Sequence, residues 1–220
     1  MGKYAQIAKV NLKNNLLPHL LISFVMLGLS PLLMGVENLN AANTAKVLEM
    51  YVALIGIILL TPIFLPEQNK DLKELVEAKF TTMSSVYIVR VCESLICLMI
   101  LVGGYIFLLQ HNSCSFPVMK FFLGTLSEAI FLGGMGLFTY SLFDQIAIAY
   151  MLPIMFYILS IGGGKKLMKD YYLFSMIYGG FEEKVYLVIT GLLMISMGIA
   201  FPYLFKRIKP KLARHKTDRM

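Results

Sequence analysis

The chain has 220 residues, of which 58% are hydrophobic and only 15% are charged, and its formal net charge is +7. Soluble domains of this length carry more charge and shorter apolar runs, so the composition excludes an ordinary soluble enzyme or binding domain. Lipid tolerates only helices and closed barrels, and the alternating pattern of about 10 residues that marks a barrel strand is absent. The sequence therefore predicts an all-α integral membrane protein.

The first fifteen residues predict a short amphipathic helix in the membrane interface. Tyr4 and Ile7 fall on one side of such a helix, and Lys9 and Lys13 fall on the other. A simple charged lead-in to the first apolar run is the alternative. The predicted organisation therefore begins with an interfacial helix over residues 1–15.

Six apolar runs follow, each close to the ~20 residues of a helical membrane crossing. The predicted spans cover residues 16–36, 47–65, 86–109, 120–142, 146–161 and 185–205, and a basic tail covers residues 207–220. Only a tight turn around Asp144 separates the fourth and fifth spans. Residues 171–181, here named the outer segment, are aromatic and too broken to span. They predict either short helices that dip into the outer leaflet and close the exit, or a packed extracellular loop.

Basic residues predict the orientation of these spans. Six crossings put both termini on one side, together with Lys3, Lys13, the basic tail and the charged segment between spans 2 and 3. Positive charge favours the cytoplasmic side, so both termini are predicted to be cytoplasmic. The lysines at 165, 166 and 169 then lie outside as a minority. The positive charge is explained by these membrane-flanking positions, and no nucleic acid partner is expected.

The charged segment between spans 2 and 3 predicts a short amphipathic helix. Leu72, Leu75, Val76 and Phe80 recur at helical spacing and fall on one face. Charged residues occupy the rest of its surface. A helix of this design can lay its apolar face in a groove of a soluble partner, or it can lie on the membrane surface of its own protein.

This segment resembles the cytoplasmic loop of ABC-2 type exporter permeases. In that family an acidic residue closes the second span, a coupling helix follows, then small or hydroxyl residues, then a basic residue inside the third span. Here these are Glu67, residues 71–77, the pairs at 81–82 and 84–85, and Arg90. The interfacial helix, six spans and elaborated outer segment are also similar to that family in layout.

The resemblance implies a permease subunit in a bacterial plasma membrane that exports a hydrophobic or amphipathic peptide, drug or lipid-like molecule. It implies a cytoplasmic ATPase in two copies, which binds ATP and Mg, and a second permease subunit, identical or homologous. The chain itself lacks a Gly-x-x-x-x-Gly-Lys-Ser/Thr loop, so no cofactor and no enzymatic activity are expected of it. The implied ATPase-coupling interface comprises Glu67, Asp71, Leu72, Glu74, Leu75, Val76, Glu77 and Phe80.

Glu128 lies near the middle of predicted span 4, where an ionisable residue is costly and indicates function by default. It can line a translocation path, join two spans by a hydrogen bond, or stay protonated and locally satisfied. Arg90 and Glu93 share one helical face and can form a structural ion pair or a gate. Nothing in the sequence resembles a metal cluster or a nucleophile–base pair.

Small residues follow Glu128 at helical spacing and predict a close helix contact. Ala129, Gly133, Gly134 and Gly136 give span 4 a thin face. This face suits either the contact between two permease subunits or a seam inside one subunit.

Two other functions fit the sequence. One is an ion-coupled secondary transporter or channel that uses Glu128 as its proton or cation site. The other is a membrane anchor or sensor whose charged segment recruits a cytoplasmic partner.

Overall fold

The fold comes from a computed structural model that describes residues 3–68 and 83–217, with side chains described over 4–66 and 84–201. Over these residues the chain is helical and has no strand. The all-α prediction is confirmed for these residues, and six helical stretches are long and apolar enough to cross a membrane, which is compatible with the predicted multi-pass membrane protein. These stretches, spans 1 to 6, are Tyr4–Met34, Ala41–Pro66, Ser84–His111, Val118–Phe143, Ile146–Tyr171 and Glu182–Phe201.

Span 1 is continuous with the segment that the sequence assigns to a separate interfacial helix. An α-helix over Lys3–Asn11 passes through a π-helical stretch, Leu12–Leu16, into a second α-helix, Leu17–Met34. No glycine or proline interrupts the helix before Leu17, so the backbone stays helical across the predicted boundary. The placement of residues 1–15 in the interface stays a prediction.

Span 2 begins earlier than the predicted residue 47 and is irregular. The Asn40 side chain accepts a hydrogen bond from the Asn43 backbone N–H at 2.9 Å, which caps a helix over Ala41–Met50. The helix breaks at Tyr51, and 3₁₀ turns flank the short helix Ile55–Leu60. The helix therefore begins inside the stretch that separates predicted spans 1 and 2.

Spans 5 and 6 also extend beyond their predicted limits. The span 5 helix runs over Ile146–Met168 rather than ending at 161, although Gly164 has non-helical dihedral angles. The last helix covers Glu182–Thr217, so most of the predicted basic tail continues the helix of span 6. Charged residues at both helix ends misled the sequence prediction, because a polar end can continue a helix beyond its apolar part.

Spans 2 and 4 form the centre of the molecule. About 78% of the apolar window is buried in each, against 17–39% in the other four spans. Large apolar side chains on the outer spans remain exposed, including Leu32, Ile100, Phe107 and Ile158. An apolar surface of this kind suits contact with lipid chains. The site described next lies where the two central spans meet span 6 and the outer segment.

Candidate functional site

Three ionisable side chains from three spans meet inside the protein. Glu49 of span 2, Glu128 of span 4 and Lys184 of span 6 are each fully buried. The Lys184 ammonium lies 2.6 Å from Glu49 Oε1 and 2.9 Å from Glu128 Oε2. Buried charges are retained only where they are paired and hydrogen-bonded, so this ionic cluster joins the three spans at one point.

Lys184 uses all the donors that an ammonium group has. Besides the two carboxylates, Nζ donates a short hydrogen bond to the Leu173 carbonyl oxygen in the outer segment. Lys184 stands in the first turn of span 6, where its own backbone N–H donates to Phe181 at 3.1 Å. Its position at the helix start lets the side chain reach under the outer segment.

Glu49 holds the outer segment by its backbone. The Met176 N–H donates to Glu49 Oε1 at 2.8 Å, and the Ile177 N–H donates to Oε2 at 3.1 Å. The Leu173 N–H donates to Ser160 Oγ at 3.2 Å. These bonds satisfy backbone groups that are buried away from water.

The outer segment is itself part of the protein interior. Residues 172–176 are all buried, and short 3₁₀ turns cover Lys169–Tyr171 and Met176–Tyr178. Burial, reinforced by Tyr178 and Glu49 nearby, raises the pKa of Tyr172 to about 12, so its phenol stays neutral. The segment is thus packed and contains two short helical turns, and its position relative to the membrane stays a prediction.

Glu128 is less well satisfied than Glu49. Its Oε2 accepts from Lys184, whereas its Oε1 is buried and accepts no hydrogen bond from any residue that the structure describes. With every group ionised, the cluster holds two negative charges and one positive charge, a surplus of one negative charge. A buried charge surplus of this kind is strongly unfavourable.

Aromatic side chains of span 5 and the outer segment pack together beside the cluster. The Tyr157 hydroxyl donates to the Met50 carbonyl at 2.6 Å, and the Tyr157 ring packs edge-on against Phe174 at 5.5 Å.

A second ion pair lies at the rim of the ionic cluster, where Lys165 Nζ is 2.6 Å from Glu183 Oε1. The Lys165 side chain is 69% exposed, so water screens this pair and it adds little to stability.

The small residues of span 4 pack inside this chain. Ala129 is fully buried, and Gly133 and Gly136 face Gly56 and Thr61 of span 2. Gly134 instead faces the backbone of span 6 at Gly191. The face predicted for helix packing or a dimer contact thus lies in the seam between the central spans and span 6.

Arg90 and Glu93 each tie span 3 to another element. Arg90 Nη1 donates to the Ile63 carbonyl at 3.0 Å, and Glu93 Oε2 accepts from Asn11 Nδ2 at 2.8 Å. The two charges are also close enough to interact electrostatically. They hold the start of span 3 against the amino-terminal helix and the end of span 2.

The predicted ATPase-coupling interface falls outside the residues whose side chains the structure describes. Glu67 belongs by its backbone to the 3₁₀ turn Thr61–Gln68 at the end of span 2. The other members, Asp71, Leu72, Glu74, Leu75, Val76, Glu77 and Phe80, lie between the two described stretches.

The sequence analysis did not identify two residues of the cluster. Glu49 lies inside predicted span 2, and Lys184 lies one residue before predicted span 6. A carboxylate and a lysine that adjoin apolar runs on the same predicted side are the signal that could have paired them. Among the described residues, no group of three or more histidine, cysteine, aspartate or glutamate side chains could hold a metal ion.

Comparison of the chain with protein-family models, with curated proteins and with solved structures finds no match. Its function is therefore inferred from the sequence pattern and from the geometry of the spans.

Proposed function

We propose that this chain is the transmembrane permease subunit of an ABC exporter that moves a hydrophobic or amphipathic cargo. A separate cytoplasmic ATPase supplies the energy, and two permease subunits and two ATPases make the working complex. The observation that carries the proposal is the even number of membrane-length helices. Six crossings put the charged segment between spans 2 and 3 on the same side as both termini, where positive charge favours the cytoplasm.

The charged segment between spans 2 and 3, here named the coupling segment, has the sequence pattern of a docking helix. Leu72, Leu75, Val76 and Phe80 recur at helical spacing, so a helix here would carry them on one face with charged residues around them. ATP binding to the docked ATPase favours one state of a two-state assembly, and the segment passes that preference to the spans it joins.

Span 2 connects the coupling segment to the ionic cluster and can transmit a displacement between them. It begins near the ionic cluster and ends next to the coupling segment, and it is one of the two most buried spans. A displacement at its inner end is therefore resisted by packing along its whole length and is felt at Glu49. Movement of span 2 would alter the contacts that hold the outer segment.

The test is to purify the protein with its ATPase partner and to measure ATP-dependent transport in proteoliposomes. Leu75→Asp places a charge on the docking face, so we expect the ATPase to be lost from the purified complex and transport to fall with it. Ala78→Asp introduces the same side chain on the other side of the predicted helix and serves as the matched control. Transport that follows an ion gradient without any nucleotide-binding subunit would instead favour the ion-coupled transporter. A protein that recruits a partner but carries no flux would favour the anchor or sensor.

A further inference from the structure

The ionic cluster has more acid than base in a place that water does not reach. Glu49, Glu128 and Lys184 are each fully buried, and the ammonium already donates to three oxygen atoms. One acceptor, Glu128 Oε1, is left without a partner. A single added positive charge would remove the surplus negative charge.

A proton is the cation that best fits this position, and Glu128 is the group that should carry it. Glu49 accepts two backbone N–H bonds in addition to Lys184, and such bonds favour a carboxylate in its ionised form. Glu128 accepts one bond only. A proton on Glu128 leaves Lys184 and Glu49 as a neutral, fully bonded pair.

We propose that the cluster binds one exchangeable proton at Glu128 and that this proton keeps the outer segment closed. The inference goes beyond ATP-driven export, because it holds whatever powers transport. When Glu128 releases the proton to water, the cluster keeps one uncompensated negative charge. Access of water relieves that charge, and water gains access when the outer segment leaves its two anchors.

The outer segment is the part that responds to the proton, because Glu49 and Lys184 of the cluster bind its backbone directly. Glu49 binds its backbone at Met176 and Ile177, and Lys184 binds it at Leu173. A cleft of about 310 Å³, lined in part by Met176, Ile177 and Pro117, already lies against the segment. Release of the segment would join this cleft to the cluster.

Other titratable groups lie beside the cluster or on spans packed against the central ones. Tyr157 of span 5 and Tyr172 of the outer segment are phenols, and phenols ordinarily stay neutral below about pH 10. Lys165 and Glu183 form an ion pair at the rim. Arg90 and Glu93 of span 3 make their hydrogen bonds to Ile63 and Asn11.

The outer segment can be tested by the access of a thiol reagent to one buried position. Ser175 is 3% exposed, and Tyr178 in the same segment is 78% exposed. With the native Cys92, Cys97 and Cys114 replaced by serine, Ser175→Cys and Tyr178→Cys each carry one thiol. The protein is reconstituted alone in lipid nanodiscs and labelled with a membrane-impermeant cationic methanethiosulfonate. Dividing the labelling rate at Ser175→Cys by the rate at Tyr178→Cys corrects for the pH dependence of thiol ionisation, since the thiolate is the form that reacts.

We expect the labelling rate at Ser175→Cys, relative to that at Tyr178→Cys, to rise with pH by up to about tenfold per pH unit, because opening releases one proton. Glu128→Gln is neutral at every pH, so it should keep the ratio low and flat. Glu183→Gln removes a carboxylate beside the cluster but outside it, so the rise should remain. A flat ratio without any cluster substitution, or an unchanged rise in Glu128→Gln, would overturn the proposal. No ATPase is present, so this result is independent of the test of ATP-driven export.

Discussion

Lys184 is the residue on which the cluster depends, because its ammonium is bonded to both carboxylates and to the outer segment. Lys184→Met keeps the length of the side chain and removes the charge, which leaves two buried carboxylates without a cation. Removing one partner of a buried ion pair costs about 3–5 kcal/mol. We expect a markedly lower midpoint of thermal unfolding in detergent, followed by tryptic digestion or by loss of monodisperse protein. Lys166→Met removes an exposed lysine and should leave the midpoint unchanged.

The same cluster allows the electrostatic origin of that loss to be separated from lost packing. Adding Glu49→Gln and Glu128→Gln to Lys184→Met removes both acidic groups, and with them the uncompensated negative charge, with little change in volume. We expect the triple variant to recover part of the stability that Lys184→Met loses, because neutral groups are cheaper to bury than unpaired charges. The recovery stays incomplete, because the backbone N–H groups of Met176 and Ile177 both bind Glu49. A glutamine amide has a single acceptor oxygen and can accept from only one of them in this geometry. If the triple variant is the least stable of the set, charge does not explain the loss.

Residues also show how far the sequence alone could lead. Glu128 was predicted as a special position, because a carboxylate in the middle of a long apolar run has no solvent to reach. Glu49 and Lys184 lie near the ends of apolar runs, where charged side chains ordinarily meet water. They are buried here because the outer segment folds over them, and that burial depends on contacts between parts of the chain far apart in sequence.

Close contact of helix backbones defines the centre of the molecule at the scale of its elements. A Cβ added at Gly56 would lie 2.1 Å from the Ala129 carbonyl oxygen, and one at Gly191 would lie 2.8 Å from Phe131 Cα. Backbone atoms cannot move aside as a flexible side chain can. Spans 2 and 6 therefore approach span 4 at positions that only glycine permits.

Alanine at these glycines should destabilise the protein through steric overlap. Overpacking a close contact typically costs about 1–3 kcal/mol, so Gly56→Ala and Gly191→Ala should each lower the thermal midpoint. Gly28→Ala is the matched control, because nothing lies within 4 Å of a Cβ at that position in span 1. It should be neutral or slightly stabilising, since alanine favours a helix over glycine. Equal effects at all three positions would contradict the seam between spans 2, 4 and 6.

The elements themselves were predicted from length and hydrophobicity, and their details were not. The six apolar runs stand out because each must cover the thickness of a bilayer. The break at Tyr51 and the 3₁₀ turns of span 2 have no comparable signal, apart from Pro62 and Pro66 near its end. Irregular backbone of this kind is set by neighbouring spans, which a single sequence does not display.

The whole molecule combines a buried centre with an apolar exterior. Spans 2 and 4 are mostly covered by the other spans, whereas span 5 has only 17% of its apolar window buried. The exposed apolar faces on the outer spans suit contact with lipid chains. The proposed coupling segment and the ionic cluster then lie at opposite ends of the same central span. Span 2 also carries Glu49, which binds the outer segment, so a partner that acts on the proposed coupling segment would act on the element that holds the outer segment.

That arrangement depends on the sidedness of the membrane, which two exposed loop positions can report. Ser115 lies between spans 3 and 4, and Gln145 lies between spans 4 and 5. In a cysteine-free background, we expect Ser115→Cys to react with an impermeant maleimide in intact cells. Gln145→Cys should react only after the cells are permeabilised, because positive charge holds that side in the cytoplasm. The reverse pattern would put residues 67–82 outside the cell, out of reach of any cytoplasmic ATPase, and the exporter proposal would fail with the orientation on which it rests.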